Sequence, residues 1–378
     1  MKAPGTTAIG TWSGGRFMRF GEAIDADRYA ALLRPGDGIE TVITADVYGM
    51  GAADRALGEA LAGVDRDSYS LAGAIGHDFY TGERDGAKGF PRFTNPRLRG
   101  PEEYEGYLRM AAERSLERVG ADRFDLLMLH NPDRTGYSSE TVWDAMAALR
   151  EVGLTDRIGV APGPANGFTL DLIDCVERFG DRIDWAMIIL NPLEPWPGEL
   201  CLEAAEQNGV GVIARVVDYG GLFWGDLRPD APLARGDHRS FRPDGWIAEG
   251  VERIERMRSI ADRHGLTPLQ LACQWTLAHP AVSCVAPTIV QEAGPQARSA
   301  EEKRAELATL PAVQLSDEEV AEIREIGDNK GCMPLKGGSP VHRGDDLADG
   351  WSLNEELLEV GRRWGIDPAI DLVEATAA

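Results

Sequence analysis

Lysine is scarce in this chain. Only five occur among 378 residues, and acidic side chains outnumber basic ones by 62 to 39. The resulting formal net charge of −23 repels nucleic acid and anionic membrane surfaces, so neither is expected as a partner. Cysteine is sparse as well. The five, at 175, 201, 273, 284 and 332, form no CxxC pair. An odd, scattered set excludes a disulfide framework and fits reduced thiols, most of them small core residues. No stretch approaches the roughly 18–20 apolar residues of a membrane span. The start, MKAPGTTAIGTW, has no apolar leader segment, and a cytoplasmic location is expected. Repeats and low-complexity linkers are absent.

What is present is a strict alternation of two kinds of segment. Short apolar or β-branched runs fall at 7–12, 40–45, 69–75, 124–130, 157–161, 185–190, 211–216 and 282–286. Helix-like stretches lie between them, at Glu102–Val119, Glu140–Val152, Leu170–Phe179 and Ile247–His264. The segment LTPLQLACQWTLAHP adds a further helix with a threonine cap and a proline just inside its start. Runs this apolar suit strands buried on both faces, and eight strand–helix units predict a (β/α)8 TIM barrel, with five- or six-strand open sheets as the alternative on pattern alone. The barrel is expected over residues 1–330. A C-terminal extension, 331–378, carries a Gly- and Pro-rich loop and an amphipathic helix at Asn354–Trp364 that packs back on the barrel. In such a barrel the chemistry lies on loops after the C-terminal ends of the strands.

Three segments on those elements carry a resemblance. They are TADVYGMGAADRALGEAL (44–61), FDLLMLHNPD (124–133) and GLTPLQLACQWTLAHPAVSCVAP (265–287). In this order they resemble the aldo-keto reductases, over about residues 5–330. The resemblance implies a bound nicotinamide delivering hydride to a carbonyl, with a proton from a tyrosine that matches Tyr48. It implies a histidine at His130, and a lysine paired with an aspartate beside the tyrosine. Here the aspartate position is Ile43 and the lysine position is Ala74. Removing both partners of a buried ion pair is tolerated far better than removing one, so the double loss is self-consistent. The positions that would hold the cofactor also differ: Ala161-Pro162 for Ser-Asn, Met187 for a glutamine, Arg215 for the aromatic ring stacked on nicotinamide, and Pro287-Thr288 for Pro-Gly. Glu306 falls where a nucleotide contact is implied.

From these losses no cofactor is expected, and the chain reads as an enzyme doing proton transfer on a carbonyl or polyol through Tyr48 and His130. Elimination, dehydration or isomerisation of a keto-sugar-like compound would use that pair. Arg215, His77, Asp78, Trp224 and Asp46 are the expected substrate-binding residues. Arg215 would stack on an aromatic ligand, bind a carboxylate, phosphate or enolate, or form a salt bridge with Asp218. His77 and Asp78 could supply an acid or base, and Asp46 could instead cap a turn. No metal site is expected. Two alternatives stand beside this reading: a diverged oxidoreductase using NADPH or NADH, and a non-catalytic regulatory or scaffold subunit. The expected partner is a small molecule, and a homo-oligomer is left open.

Overall fold

The computed structural model describes residues 2–85, 89–163, 168–230, 233–330 and 349–372. Each apolar run becomes one strand: β1 (Ala8–Gly10), β2 (Thr41–Ile43), β3 (Ser70–Ile75), β4 (Leu126–His130), β5 (Ile158–Ala161), β6 (Trp185–Ile189), β7 (Gly211–Arg215) and β8 (Val282–Ala286). Neighbours in the chain are parallel neighbours in the sheet. A parallel bridge from Thr7 to Val285 joins its two edges, so the sheet closes into the expected (β/α)8 barrel.

Closure buries both faces of nearly all the strand residues, with Ser283 of β8 the exposed exception, which is why the runs do not alternate between apolar and polar. One face points to the helices: Leu127, Leu129, Val160, Ile188 and Ala214 belong to the outer core. The other face points inward, with Ile43, Ala45, Ala72, Ala74, Met128, Ala161, Met187, Ile213 and Ala286 in a separate interior cluster. Small residues dominate that cluster, and Trp12 fills part of the space. Gly10 has to be glycine here, because a Cβ would sit 2.2 Å from the Trp12 ring.

The helices at Tyr104–Val119, Glu140–Glu151, Thr169–Phe179, Trp246–His264 and Pro268–Leu277 lie where periodicity puts them. Thr267 caps the last of these: its hydroxyl accepts from the Gln270 amide, and the Gln270 side chain accepts from the Thr267 amide, each at 3.1 Å. The helix Ala300–Ala308 carries Glu306, where the resemblance implies a helix contact to the nucleotide. Its sequence, AEEKRAELA, has almost no apolar stripe, and a capping box at Ser299 and Glu302 starts it.

Past the barrel, Trp351 is fully buried and stacks on Phe168, ring centroids 4.0 Å apart. The helix Glu355–Trp364 lies against Thr169–Phe179. Cys332 and most of the Gly- and Pro-rich loop fall outside the described residues. Cys175, Cys201, Cys273 and Cys284 are free and buried. No helix among the described residues is long and apolar enough to cross a membrane.

Candidate active site

Alternation along the strands decides which polar groups enter the barrel. Ile213 points inward, so Arg215, two residues on at the end of β7, does too. By the same rule His130, two residues after Met128, points inward from the end of β4. Tyr48, in the loop after β2, packs against the interior cluster from above. The barrel mouth therefore collects Tyr48, His130 and Arg215. The residues just after the last two are held at positive φ, Asn131 at 45° and Val216 at 59°. For a β-branched valine this is a strained conformation, of the kind that collects at functional sites.

The rings of Tyr48 and His130 meet edge to face with centroids 5.8 Å apart, and His77 stands 5.0 Å behind His130. Tyr48 is half-buried, and among the described residues its hydroxyl has no hydrogen-bond partner. Burial raises its pKa, and the positive charge of Arg215 opposes that rise. His130 is buried, its Nδ1 has no partner, and its pKa falls to about 3 through burial, then through Arg92 and Arg215. His77 is also held neutral, chiefly by burial and next by Arg92. The Arg92 guanidinium, a permanent donor, lies 3.1 Å from His77 Nδ1, which makes that nitrogen an acceptor. The Asn131 side chain holds the other nitrogen at 3.1 Å.

Arg92 itself is almost fully buried. It donates to the Asn131 carbonyl and forms an ion pair with Asp349, so the C-terminal segment reaches the back of the histidine pair. Nothing in the sequence singled out Arg92 or Asp349, because their partners are 39 and 257 residues away.

Arg215 makes no salt bridge with Asp218. Its Nη2 donates to the carbonyls of Pro162 and Gly163 at 3.1 and 3.0 Å, and its Nε is buried with no partner among the described residues. Asp218 instead accepts from the amides of Gly221 and Thr288, pinning the loops after β7 and β8 together. Burial carries its pKa up to about 6.

Three expected substrate contacts face elsewhere. Asp46 follows the inward Ala45 and so points to the helices; it is fully buried, with neither oxygen hydrogen-bonded among the described residues. Burial and then Asp54 push its pKa well above the usual carboxylate range, and Arg118 only partly offsets this. It caps no helix. Asp78 is bound to Arg99 and accepts from the amides of Tyr80 and Thr81, which fixes the turn after β3. Trp224 is buried, its indole donating to the Thr288 carbonyl at 2.8 Å, so it packs a loop and walls no open cleft. Glu306 accepts from Thr267 and pairs with Arg298 at 2.6 Å; Lys303 turns inward to Asp226 at 2.7 Å. Among the described residues no group of His, Cys, Asp and Glu is arranged to hold a metal. Within the loop after β5, residues 164–167 lie outside the described residues, as does the side chain of Phe241.

With the barrel and its mouth in place, the comparisons agree on kinship. The chain belongs to the aldo/keto reductase family, whose model matches residues 6–328. It is similar to a probable voltage-gated potassium channel subunit beta of Arabidopsis thaliana, 23% identical over 73% of this chain and 82% of that one. It is 26% identical to a D-threo-aldose 1-dehydrogenase of a Pseudomonas species, over 67% and 76% of the two chains. Among solved structures, a glycerol dehydrogenase of Gluconobacter oxydans superposes with TM-score 0.64 at 21% identity, covering 86% of this chain and 92% of that chain. An aldo-keto reductase of Klebsiella pneumoniae in complex with NADPH superposes with TM-score 0.58 at 22% identity, covering 88% and 94%. These findings overturn the expectation that no cofactor is used, since a chain of this fold was solved holding NADPH. Elimination or isomerisation without nicotinamide finds no support among the relatives named by an activity, which are dehydrogenases and reductases.

Proposed function

We propose that this chain is an NAD(P)-dependent oxidoreductase that interconverts a carbonyl and an alcohol at the barrel mouth, with Tyr48 exchanging the proton on oxygen. The unclaimed hydroxyl of Tyr48 beside His130 carries this reading. Tyr48 is half-buried at the mouth, so its hydroxyl stands where a substrate oxygen can reach it rather than sealed in the core. His130, neutral above pH about 3, offers a polar ring edge without a charge and so orients a carbonyl oxygen next to Tyr48.

The mouth fits a nicotinamide through one orphaned group. Arg215 Nε is a buried donor with no partner among the described residues, on the strand end where the resemblance puts the ring that faces nicotinamide. Ala161, Pro162 and Met187 offer no side-chain hydrogen bond, so Arg215 and backbone groups of the loops after β5, β7 and β8 would hold it. The bound group supplies hydride to the carbonyl carbon. Ile43 and Ala74 keep the floor beneath Tyr48 apolar and exclude water from it. A hydroxylated substrate, an aldose or polyol, is favoured by the names of the Pseudomonas and Gluconobacter relatives.

The test is a titration with NADPH and NADH followed by tryptophan fluorescence, then turnover assays on aldoses and polyols. Saturable binding at micromolar cofactor is expected, with turnover lost by roughly 100-fold or more in Tyr48→Phe. No binding up to millimolar cofactor, or full activity in Tyr48→Phe, would sink the proposal.

A further inference from the structure

We infer that this chain prefers NAD(H) to NADP(H), because the corner of the barrel suited to a nucleotide phosphate is built from carboxylates and from cations already bound to them. The inference rests on the oxidoreductase reading and narrows its cofactor. In (β/α)8 barrels a phosphate is commonly held where the loops after the seventh and eighth strands meet the N-terminus of a short extra helix. Those three parts meet here. Lys303 of the helix Ala300–Ala308 pairs with Asp226 of the loop after β7 at 2.7 Å. Arg239, also of the loop after β7, pairs with Glu292 of the loop after β8. Glu306, where the resemblance implies a nucleotide contact, is on the same helix.

The groups that would receive an added phosphate are engaged. The helix start is closed by side chains: the Glu302 amide donates to Ser299 Oγ at 3.2 Å, and the Ala300 amide to Gln291 at 3.2 Å. Arg298 pairs with Glu306 at 2.6 Å and donates to the Trp224 carbonyl at 3.0 Å. Lys303 is fully buried and donates to the Val290 carbonyl at 2.6 Å as well as to Asp226. Arg304 turns away to the carbonyls of Leu32, Arg34 and Gly36. Arg228 and Arg235, in the loop after β7, have no carboxylate partner among the described residues, but both are exposed, where water and salt screen their pull. What remains is acidic. The Glu302 carboxylate accepts from Ser299 alone among the described residues, and Asp226 Oδ1 is a buried acceptor with no partner among them. An orphaned acceptor calls for a donor, and a further anion beside it is repelled. A ribose 2′-hydroxyl is such a donor and suits a carboxylate, whereas a 2′-phosphate calls for an available arginine. Nicotinamide and pyrophosphate are common to both nucleotides and cancel from the ratio of their affinities.

The experiment is a calorimetric titration of the full chain with NADH and with NADPH, at low and at high KCl. At low salt NADH should bind about tenfold more tightly or better, and the ratio should shrink at high salt as the repulsion is screened. Glu306→Gln, which keeps an acceptor for Thr267 and releases Arg298, should raise NADPH affinity relative to NADH by roughly fivefold. Equal or tighter binding of NADPH by the parent chain overturns the inference and leaves the oxidoreductase reading intact. A ratio that salt does not move also overturns it, since the discrimination is then not electrostatic. Binding of neither nucleotide sinks the oxidoreductase reading and this inference with it. Glu302→Gln serves if Glu306→Gln misfolds, because glutamine keeps the capping bond; a ratio equal to the parent's in the folded variant would overturn the inference.

Discussion

His77 and His130 are buried side by side, and burial first, then the charge of Arg92, holds both neutral. Their folded-state pKa values lie below the ordinary 6.5, so between about 3 and 6.5 the unfolded chain binds more protons than the folded one. Stability must then rise with pH across that window and be lost as pH falls through it. For His130 the loss from pH 6.5 to 5.0 is on the order of 2 kcal/mol. Urea unfolding at pH 7 and pH 5 should show this, with a smaller difference in His130→Gln; an equal difference would mean that the histidine is accessible and charged in the fold. Asp46 acts with the opposite sign. Its raised pKa means the folded state keeps a proton that the unfolded chain gives up, so stability falls as pH climbs above 3.8 towards the folded value. Asp46→Asn should raise the midpoint of unfolding, more at pH 8 than at pH 4. A uniform change at both pH values would show that the carboxyl is hydrated.

At the scale of elements, the segment after the barrel behaves as a strap. Trp351 inserts between elements, stacked on Phe168 and donating to Asp171 at 2.9 Å, while Asp349 neutralises Arg92 beside the histidines. Truncating a fully buried tryptophan costs roughly 3–5 kcal/mol. Trp351→Ala should therefore lower stability by about that amount in chemical denaturation. A loss under about 1 kcal/mol would show that the strap detaches without consequence for the barrel. The contact at Arg92 ties this strap to the same loop that carries His77, so strap and site are expected to loosen together.

Over the whole molecule, the excess of 62 acids over 39 bases leaves a surface that repels itself. Many of the internal ion pairs, Lys303–Asp226 and Arg239 with Asp237 and Glu292 among them, are buried and hardly screened by salt. Screening therefore acts mainly on the surface repulsion. Thermal unfolding in 0.5 M KCl should occur higher than in 10 mM KCl, by a few degrees if about 1 kcal/mol is gained. A lower midpoint in salt would mean that exposed attractive pairs outweigh the net charge.

The amino-acid order by itself determined the order of strands and helices. Eight apolar runs with amphipathic segments between them call for a parallel sheet buried on both faces, since hydrophobic periodicity is a local property and burial acts on it directly. The same order determined the kinship, and its long motifs pointed to Tyr48 and His130, which the structure brings together at the barrel mouth. It read Asp46, Asp78 and Trp224 as substrate contacts because they neighbour strand ends; the pleat, a salt bridge and a buried indole bond send all three elsewhere. Loss of the Asp–Lys pair suggested loss of the cofactor, because local comparison sees only what is missing at a position. Only the tertiary structure decided that Arg215 is held by the carbonyls of Pro162 and Gly163, that Arg92 stands behind His77, and that Asp349 from the far end of the chain reaches it. These are contacts between residues tens to hundreds of positions apart, and what creates them is closure of the sheet, which no local pattern encodes.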